Sequence, residues 1–243
     1  MENTYRIANR NITIRSIHSG VHKLFKDYLT DGTADFSVEI KQSDIDTELQ
    51  KCREQEAREG IFRTGRNDPY LEELSVCRKM AEKMLEYDTI LFHGSTVAVD
   101  GEAYIFTALS GTGKSTHAAL WREYLGEKAV MVNDDKPFIE IREGKAIAYG
   151  TPYDGKHHLS TNISAPVKAI CILERADVNS IEKISPEEAF PTLFQQTYNT
   201  QDNAGIGKTL LLLNSLLGCC NFYRLHCNMD IEAAMLAYET MKG

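Results

Sequence analysis

The sequence predicts an α/β domain built on a mixed sheet. Three observations lead there: apolar strand-like runs interleave with helical patterns from residue 68 onward, a two-residue turn signal at Asp100-Gly101 folds two neighbouring strands into a hairpin, and a glycine-rich turn at 110–116 separates a strand from a helix. Interleaving favours a sheet with helices packed on it. The hairpin interrupts what would otherwise be parallel order.

Taken in order, the chain opens with short strand patterns at 12–14 and 36–40 and a charged helix at 44–57, in which no chemistry is legible. The polar stretch 60–68, with Arg63 and Arg66, reads as a solvated loop, with a mobile flap over a phosphate site as the sharper alternative. Asp68-Pro69 predicts a helix start, with Asp68 as the cap and Pro69 at the first helical position; Leu71, Leu74, Cys77, Ala81 and Leu85 then form a stripe at helical spacing. Strands follow at 90–92, 96–99 and 103–107, then a helix at 114–125 carrying Trp121, the one tryptophan, and a strand at 129–132. Further strands are expected at 137–142, 146–149 and 168–173, with 181–184 pairing beside the last of these. A helix at 186–197 with Pro191 as a candidate kink, a helix at 204–217, a strand at 222–225 and a helix at 231–241 complete the pattern. The expected division is an N-terminal segment, 1–88, packed on or appended to a main domain, 89–243.

Composition narrows the classes of function. With 243 residues, 42% hydrophobic and 26% charged, the chain can bury one sizeable core. A formal net charge of -8 offers no long-range positive field to gather nucleic acid or an acidic membrane surface. Six cysteines without a C-x-x-C pair, no apolar signal region in residues 1–6 and no apolar run longer than 209–217 predict a reduced, cytoplasmic protein outside the membrane.

The chemistry concentrates at Ser110-Gly111-Thr112-Gly113-Lys114-Ser115-Thr116. Surrounding a triphosphate takes many inward N–H donors from a tight turn, which glycines permit, and the positive end of a following helix. Here Gly111 and Gly113 allow the turn, Lys114 reaches the β- and γ-phosphates, and Ser115 supplies a hydroxyl for a metal ion. The pattern departs from G-x-x-x-x-G-K-[ST] in having Ala108 at the first glycine position, a change small enough to be tolerated. Magnesium prefers oxygen ligands beside phosphate, and Asp134-Asp135 follow directly after an apolar strand and Asn133. Adjacent carboxylates at a strand end point to different sides, so one can address the metal and the other the attacking nucleophile. If the hairpin turn is Asp100-Gly101, Val99 pairs with Glu102 and an unbulged ladder places His93 opposite Ala108.

The run from Ala108 to Thr116 resembles the phosphate loop of the phosphoenolpyruvate carboxykinases and of HPr kinase/phosphorylase, which share one nucleotide-binding fold. The stretch His93-Gly94-Ser95-Thr96-Val97-Ala98-Val99-Asp100-Gly101 is similar to the strand before that loop in HPr kinase, and Asn133-Asp134-Asp135 resembles the family's paired acids. The likeness covers 89–242 and implies a phosphoenolpyruvate carboxykinase-like P-loop fold with ATP and Mg2+ as cofactors. By position it makes Asp134 the base, His93 its neighbour, and Asp135 and Ser115 the metal partners. The segment in which HPr kinase carries a metal-binding glutamate before Ile-Arg-Gly is missing: Glu140-Ile141-Arg142-Glu143 follows the acids too soon. In its place stands Gly150-Thr151-Pro152-Tyr153-Asp154-Gly155-Lys156-His157-His158, a pattern associated with small stand-alone relatives. HPr as substrate and the reverse phosphorylase activity are therefore not expected, and neither is carboxykinase activity, because the chain is much shorter than a carboxykinase and shows no second set of metal and oxaloacetate ligands. Lys156 and Arg175 are candidate cations near the phosphate or the acceptor, and zinc at His157-His158 lacks further ligands at suitable spacing. The function implied is an ATP-dependent kinase acting on a hydroxyl of a small molecule or a protein serine. A nucleotide-sensing module or a slow NTPase is the alternative, although a sensor needs only the loop and one acid.

Overall fold

The computed structural model describes residues 1–60 and 66–243 and divides the chain into two units, Met1–Lys83 and Met84–Gly243. In the first unit, β1 (Glu2–Ile7) and β2 (Arg10–Arg15) form an antiparallel hairpin that turns through Ala8 and Asn9, both at positive φ. A short helix, α1 (Gly20–Leu24), leads on to β3 (Phe36–Glu39), which lies parallel to β2. Neither β1 nor α1 stood out in the sequence. The helices α2 (Gln42–Glu59) and α3 (Asp68–Met84) follow.

Two expectations for this unit need correction. The cap of α3 is Asn67 rather than Asp68: its side chain accepts the Tyr70 N–H at 3.1 Å and its carbonyl the Leu71 N–H, so Asp68 and Pro69 are already inside the first turn. Of the expected stripe, Leu71, Cys77, Ala81 and Leu85 are buried but Leu74 is only half-buried, and the buried face of α3 is widened by Val76, Met80 and Met84, together with the fully buried carboxylate of Glu72, which accepts the Ile17 and His18 N–H groups at 2.5 and 2.9 Å. The expected loop at 60–68 falls partly outside the described residues, Arg63 included; Arg66 is paired with Glu56 at 3.0 Å.

The second unit holds β4 (Thr89–Leu91), β5 (Ser95–Val99), β6 (Glu102–Thr107), α4 (Lys114–Leu125), β7 (Ala129–Asn133), β8 (Phe138–Arg142), β9 (Lys145–Tyr149), β10 (Ser164–Arg175), β11 (Ser180–Ile184), α5 (Pro186–Gln196), α6 (Asn203–Leu216), β12 (Asn221–Cys227) and α7 (Ile231–Met241). Its sheet is mixed: β6, β10 and β12 run parallel, and antiparallel strands extend it through β5 to β7 on one side and through β9 and β8 to β4 on the other. Strand periodicity sends alternate residues to two cores. Ile105, Ile170 and Ile172 pack with Leu193 of α5 and Leu212 and Leu213 of α6, whereas Tyr104, Phe106 and Cys171 pack with Trp121 of α4 and Ala237 of α7. The sheet is thus covered by helices on both faces, which explains why its central strands read as unbroken apolar runs.

The hairpin register is the expected one, Val99↔Glu102 through Ser95↔Phe106, with Asp100 at φ 51° and Gly101 at φ 85°. The ladder stops there, however, and His93 does not pair with Ala108. The His93 N–H donates to the Gln196 carbonyl at 2.8 Å and the Gly94 N–H to that of Asp135 at 3.0 Å, so the chain is drawn off the ladder toward the end of α5 and the turn after β7. The strand at 180–184 also differs from expectation. It pairs antiparallel with β12 rather than beside β10, because β12 occupies that edge of β10.

Gly150 fixes the following loop onto the end of β7. A Cβ there would lie 2.0 Å from the Thr161 carbonyl oxygen and 2.8 Å from that of Val132, both backbone atoms with little room to move. Gly150→Ala is therefore expected to destabilise the fold by about 3 kcal/mol, read as a lowered urea midpoint at unchanged slope. An unchanged midpoint would show that the loop does not pack there. No helix among the described residues is long and apolar enough to cross a membrane.

Candidate functional site

The parallel strands β6, β10 and β12 end on one edge of the sheet, where open α/β sheets place their ligands. From the end of β6 the chain runs through 108–113 into α4. Gly111 and Gly113 adopt φ 81° and 123°, a region that side chains with a Cβ avoid, and a Cβ on either would meet nothing within 4 Å. The loop is bent by glycine and open on its outer side. The start of α4 has Gly113 as its cap with no side-chain acceptor, so helix geometry leaves the N–H groups of Lys114, Ser115 and Thr116 without intrahelical partners at the positive end of the helix. Ala108 is 3% exposed and packs into the core beneath the loop, which accounts for a small residue in place of glycine.

Lys114 is folded into this turn, donating to the carbonyls of Ala108 at 3.1 Å and Leu109 at 3.4 Å. Burial lowers its pKa, opposed by the charges of Asp135 and Asp134. Ser115 lies on the other side, where it lines one cleft together with Asp134. Asp134 accepts the Ser95 hydroxyl at 2.8 Å. Burial raises the pKa of Asp134, while the hydroxyls of Ser95 and Ser115 and the nearby His157 oppose that rise.

Asn133 explains why the adjacent acids diverge. Its side-chain oxygen accepts the N–H groups of Asp135 at 2.9 Å and Lys136 at 2.6 Å, and its amide donates to the carbonyl and hydroxyl of Thr151, each at 3.1 Å. The chain turns sharply at the strand end. Asp134 faces Ser95 and Ser115, whereas Asp135 faces Lys136 at 2.8 Å and the Nε2 of His93 at 3.5 Å. The resemblance had paired His93 with Asp134 and Ser115 with Asp135; the Asn133 turn crosses these partnerships. Burial and Lys114 lower the pKa of His93, and Asp135 opposes the shift.

The remaining site residues separate. Ser110 is exposed at the rim of the loop, and Thr116 lines clefts on both sides of α4. Arg175, the last residue of β10, donates to the carbonyl of Thr112 at 3.1 Å and to that of Gly111, so it straps the loop. Lys156 is exposed in the turn 155–157, and among the described residues no hydrogen bond or ion pair joins it to the loop or to either acid. The structure brings its neighbour His157 toward Asp134 instead. His158 is held within its own loop by Asp154 at 2.9 Å.

Clefts open on both sides of α4. One of about 590 Å³ lies toward the ends of β10 and β12 and is lined by Gly113, Thr116, Leu120, Asp177, Asn228 and Met229. Another, about 350 Å³, lies toward β7 and is lined by Ser115, Asp134, Arg122, Met131, His157 and Leu159.

No family model matches the chain, and no curated protein matches its sequence. Among solved structures it is similar to the Hpr(Ser) kinase/phosphatase from Coxiella burnetii, at 12% identity over 63% of this chain and 99% of that chain, with a TM-score of 0.35. So loose an overlap assigns no family, and the site stands on its own chemistry.

Proposed function

We propose that the second unit binds ATP with Mg2+ and transfers the γ-phosphoryl group to a hydroxyl, on a small molecule or a protein serine, in a phosphoenolpyruvate carboxykinase-like P-loop arrangement. The observation that carries this reading is the placement of Ser115 and Asp134 together in one cleft immediately beside a glycine loop into which Lys114 is folded.

The residues fit the ion. Magnesium takes one or two carboxylates and a hydroxyl and completes its shell with water and phosphate oxygens, and the donors here are all oxygen. Ser115 and Asp134 would hold it, and its charge would offset that of the phosphates. Lys114 can exchange the Ala108 and Leu109 carbonyls for phosphate oxygens, and Gly111 and Gly113 leave the loop's outer side open for them. Asp135 faces Lys136 and is accompanied by His93, which suits it to take the acceptor's proton. This exchanges the roles that the resemblance implied for the two acids. We place the nucleoside in the cleft at the ends of β10 and β12, and the acceptor in the cleft beside Asp134, where Arg122 and His157 add positive character. We place the protein in the cytoplasm, with no nucleic-acid or membrane partner.

The test is incubation of the protein with Mg2+, γ-labelled ATP and a metabolite extract. The expected result is label on an organic product. Label released only as inorganic phosphate would replace the kinase by an NTPase, and ATP retained without turnover would replace it by a nucleotide sensor.

A further inference from the structure

We infer, on the kinase reading above, that Gln196 is a positioning residue: it holds the Nδ1–H of His93 and thereby leaves Nε2 as the proton acceptor that faces Asp135. Gln196 ends α5, is 7% exposed, and places its side-chain oxygen 2.8 Å from His93 Nδ1. An amide oxygen only accepts, so the hydrogen sits on Nδ1. The Nε2 lone pair then points at Asp135 Oδ1, 3.5 Å away. Two facing acceptors have room for one proton between them.

The backbone holds this arrangement independently of the side chains. The Gln196 carbonyl accepts the His93 N–H at 2.8 Å, Thr197 bridges Phe92 in antiparallel fashion, and the Tyr198 N–H donates to the Leu91 carbonyl at 2.9 Å. Residues 196–198 are therefore zipped onto 91–93, and the Thr197 hydroxyl, donating to the Leu193 carbonyl at 2.8 Å, ties the zip to α5. The pairing keeps the two backbones side by side, so the amide and the ring stay within reach of one another.

The charged and titratable groups around the ring are Lys114, Asp135 and Lys136. Burial and the lysines favour neutral imidazole, in keeping with a ring that waits to receive a proton. During transfer, the acceptor oxygen bonds to phosphorus as the bond to the departing nucleoside diphosphate breaks. The hydroxyl proton goes to an Asp135 oxygen and onward to His93 Nε2. Asp135 is again a carboxylate, and the imidazolium keeps its Nδ1–H on Gln196. Without the amide, an isolated imidazole in water favours hydrogen on Nε2, which would block this path.

The experiment is 15N NMR of the His93 ring in the full chain at pH 8, with ATP affinity measured alongside. Wild type is expected to show a protonated Nδ1 and a bare Nε2. Gln196→Glu retains an acceptor and should keep that pattern; Gln196→Leu should move the hydrogen to Nε2, lower turnover about 10- to 100-fold and leave ATP affinity within about twofold. Nε2–H in the wild type overturns the inference outright, with no variant needed. So does an unmoved tautomer in a folded Gln196→Leu or Gln196→Met protein. Absence of ATP binding in the wild type would instead strike the kinase reading, because the ring spectrum does not depend on it.

Discussion

Lys114→Ala is expected to weaken ATP binding by about 100-fold or more, close to 3 kcal/mol, in an equilibrium titration with Mg2+ present. Lys114 is 8% exposed, and its ammonium is depressed in pKa by burial and held at 3.1 Å from the Ala108 carbonyl, so it is already inside the turn where phosphate oxygens would arrive. Exchanging two neutral carbonyls for charged oxygens strengthens each of its hydrogen bonds. Alanine removes that gain and unties the Ala108 and Leu109 carbonyls, so the loop should also loosen. Lys114→Arg separates the two effects. It restores charge but lacks a compact head, and it should recover only part of the affinity. Full affinity in Lys114→Ala would mean that phosphate is bound elsewhere, and the proposed site would be abandoned.

What the sequence made legible were features whose chemistry is local. Asp100-Gly101 demands two positive φ values in succession, so the hairpin and its register followed from two residues. The phosphate loop was legible through its context as much as its letters. Gly207-Lys208-Thr209 also spells Gly-Lys-Thr, yet it lies within α6, where Lys208 pairs with Asp88 at 2.5 Å and Thr209 donates to the Gly205 carbonyl. No strand leads into it, and it forms no turn. Illegible were the partnerships made across the fold. Gln196 meets His93 over a separation of 103 residues and Ser95 meets Asp134 over 39, and no periodicity reports such pairs. Periodicity gives the buried face of an element but not its neighbour, which is why residues 180–184 were recognised as a strand and assigned the wrong partner. Asn133 was visible only as part of a resemblance, and its turn reversed the partners expected for the acids.

That reversal carries the second large effect, a split between binding and chemistry at adjacent residues. Asp135→Asn keeps the size of the side chain and most of its hydrogen bonding but removes the carboxylate that can take a proton. Turnover is expected to fall about 100-fold or more while Mg2+-dependent ATP affinity changes little. Asp134→Asn should behave oppositely in the binding assay. Its carboxylate accepts the Ser95 hydroxyl at 2.8 Å and shares a cleft with Ser115, the hydroxyl proposed to reach a metal ion on the phosphates, so the amide should weaken ATP binding in Mg2+ and flatten its dependence on Mg2+ concentration. ATP affinity measured in EDTA then provides the control, because Asp134→Asn should differ little from wild type without the ion. Should Asp134→Asn instead lose turnover at unchanged Mg2+ dependence, with Asp135→Asn losing the ion, the roles implied by the resemblance would hold, and the placement of Ser115 with Asp134 would be a resting arrangement that changes on binding. Normal binding and turnover in both variants would leave a glycine loop without a catalytic site beside it.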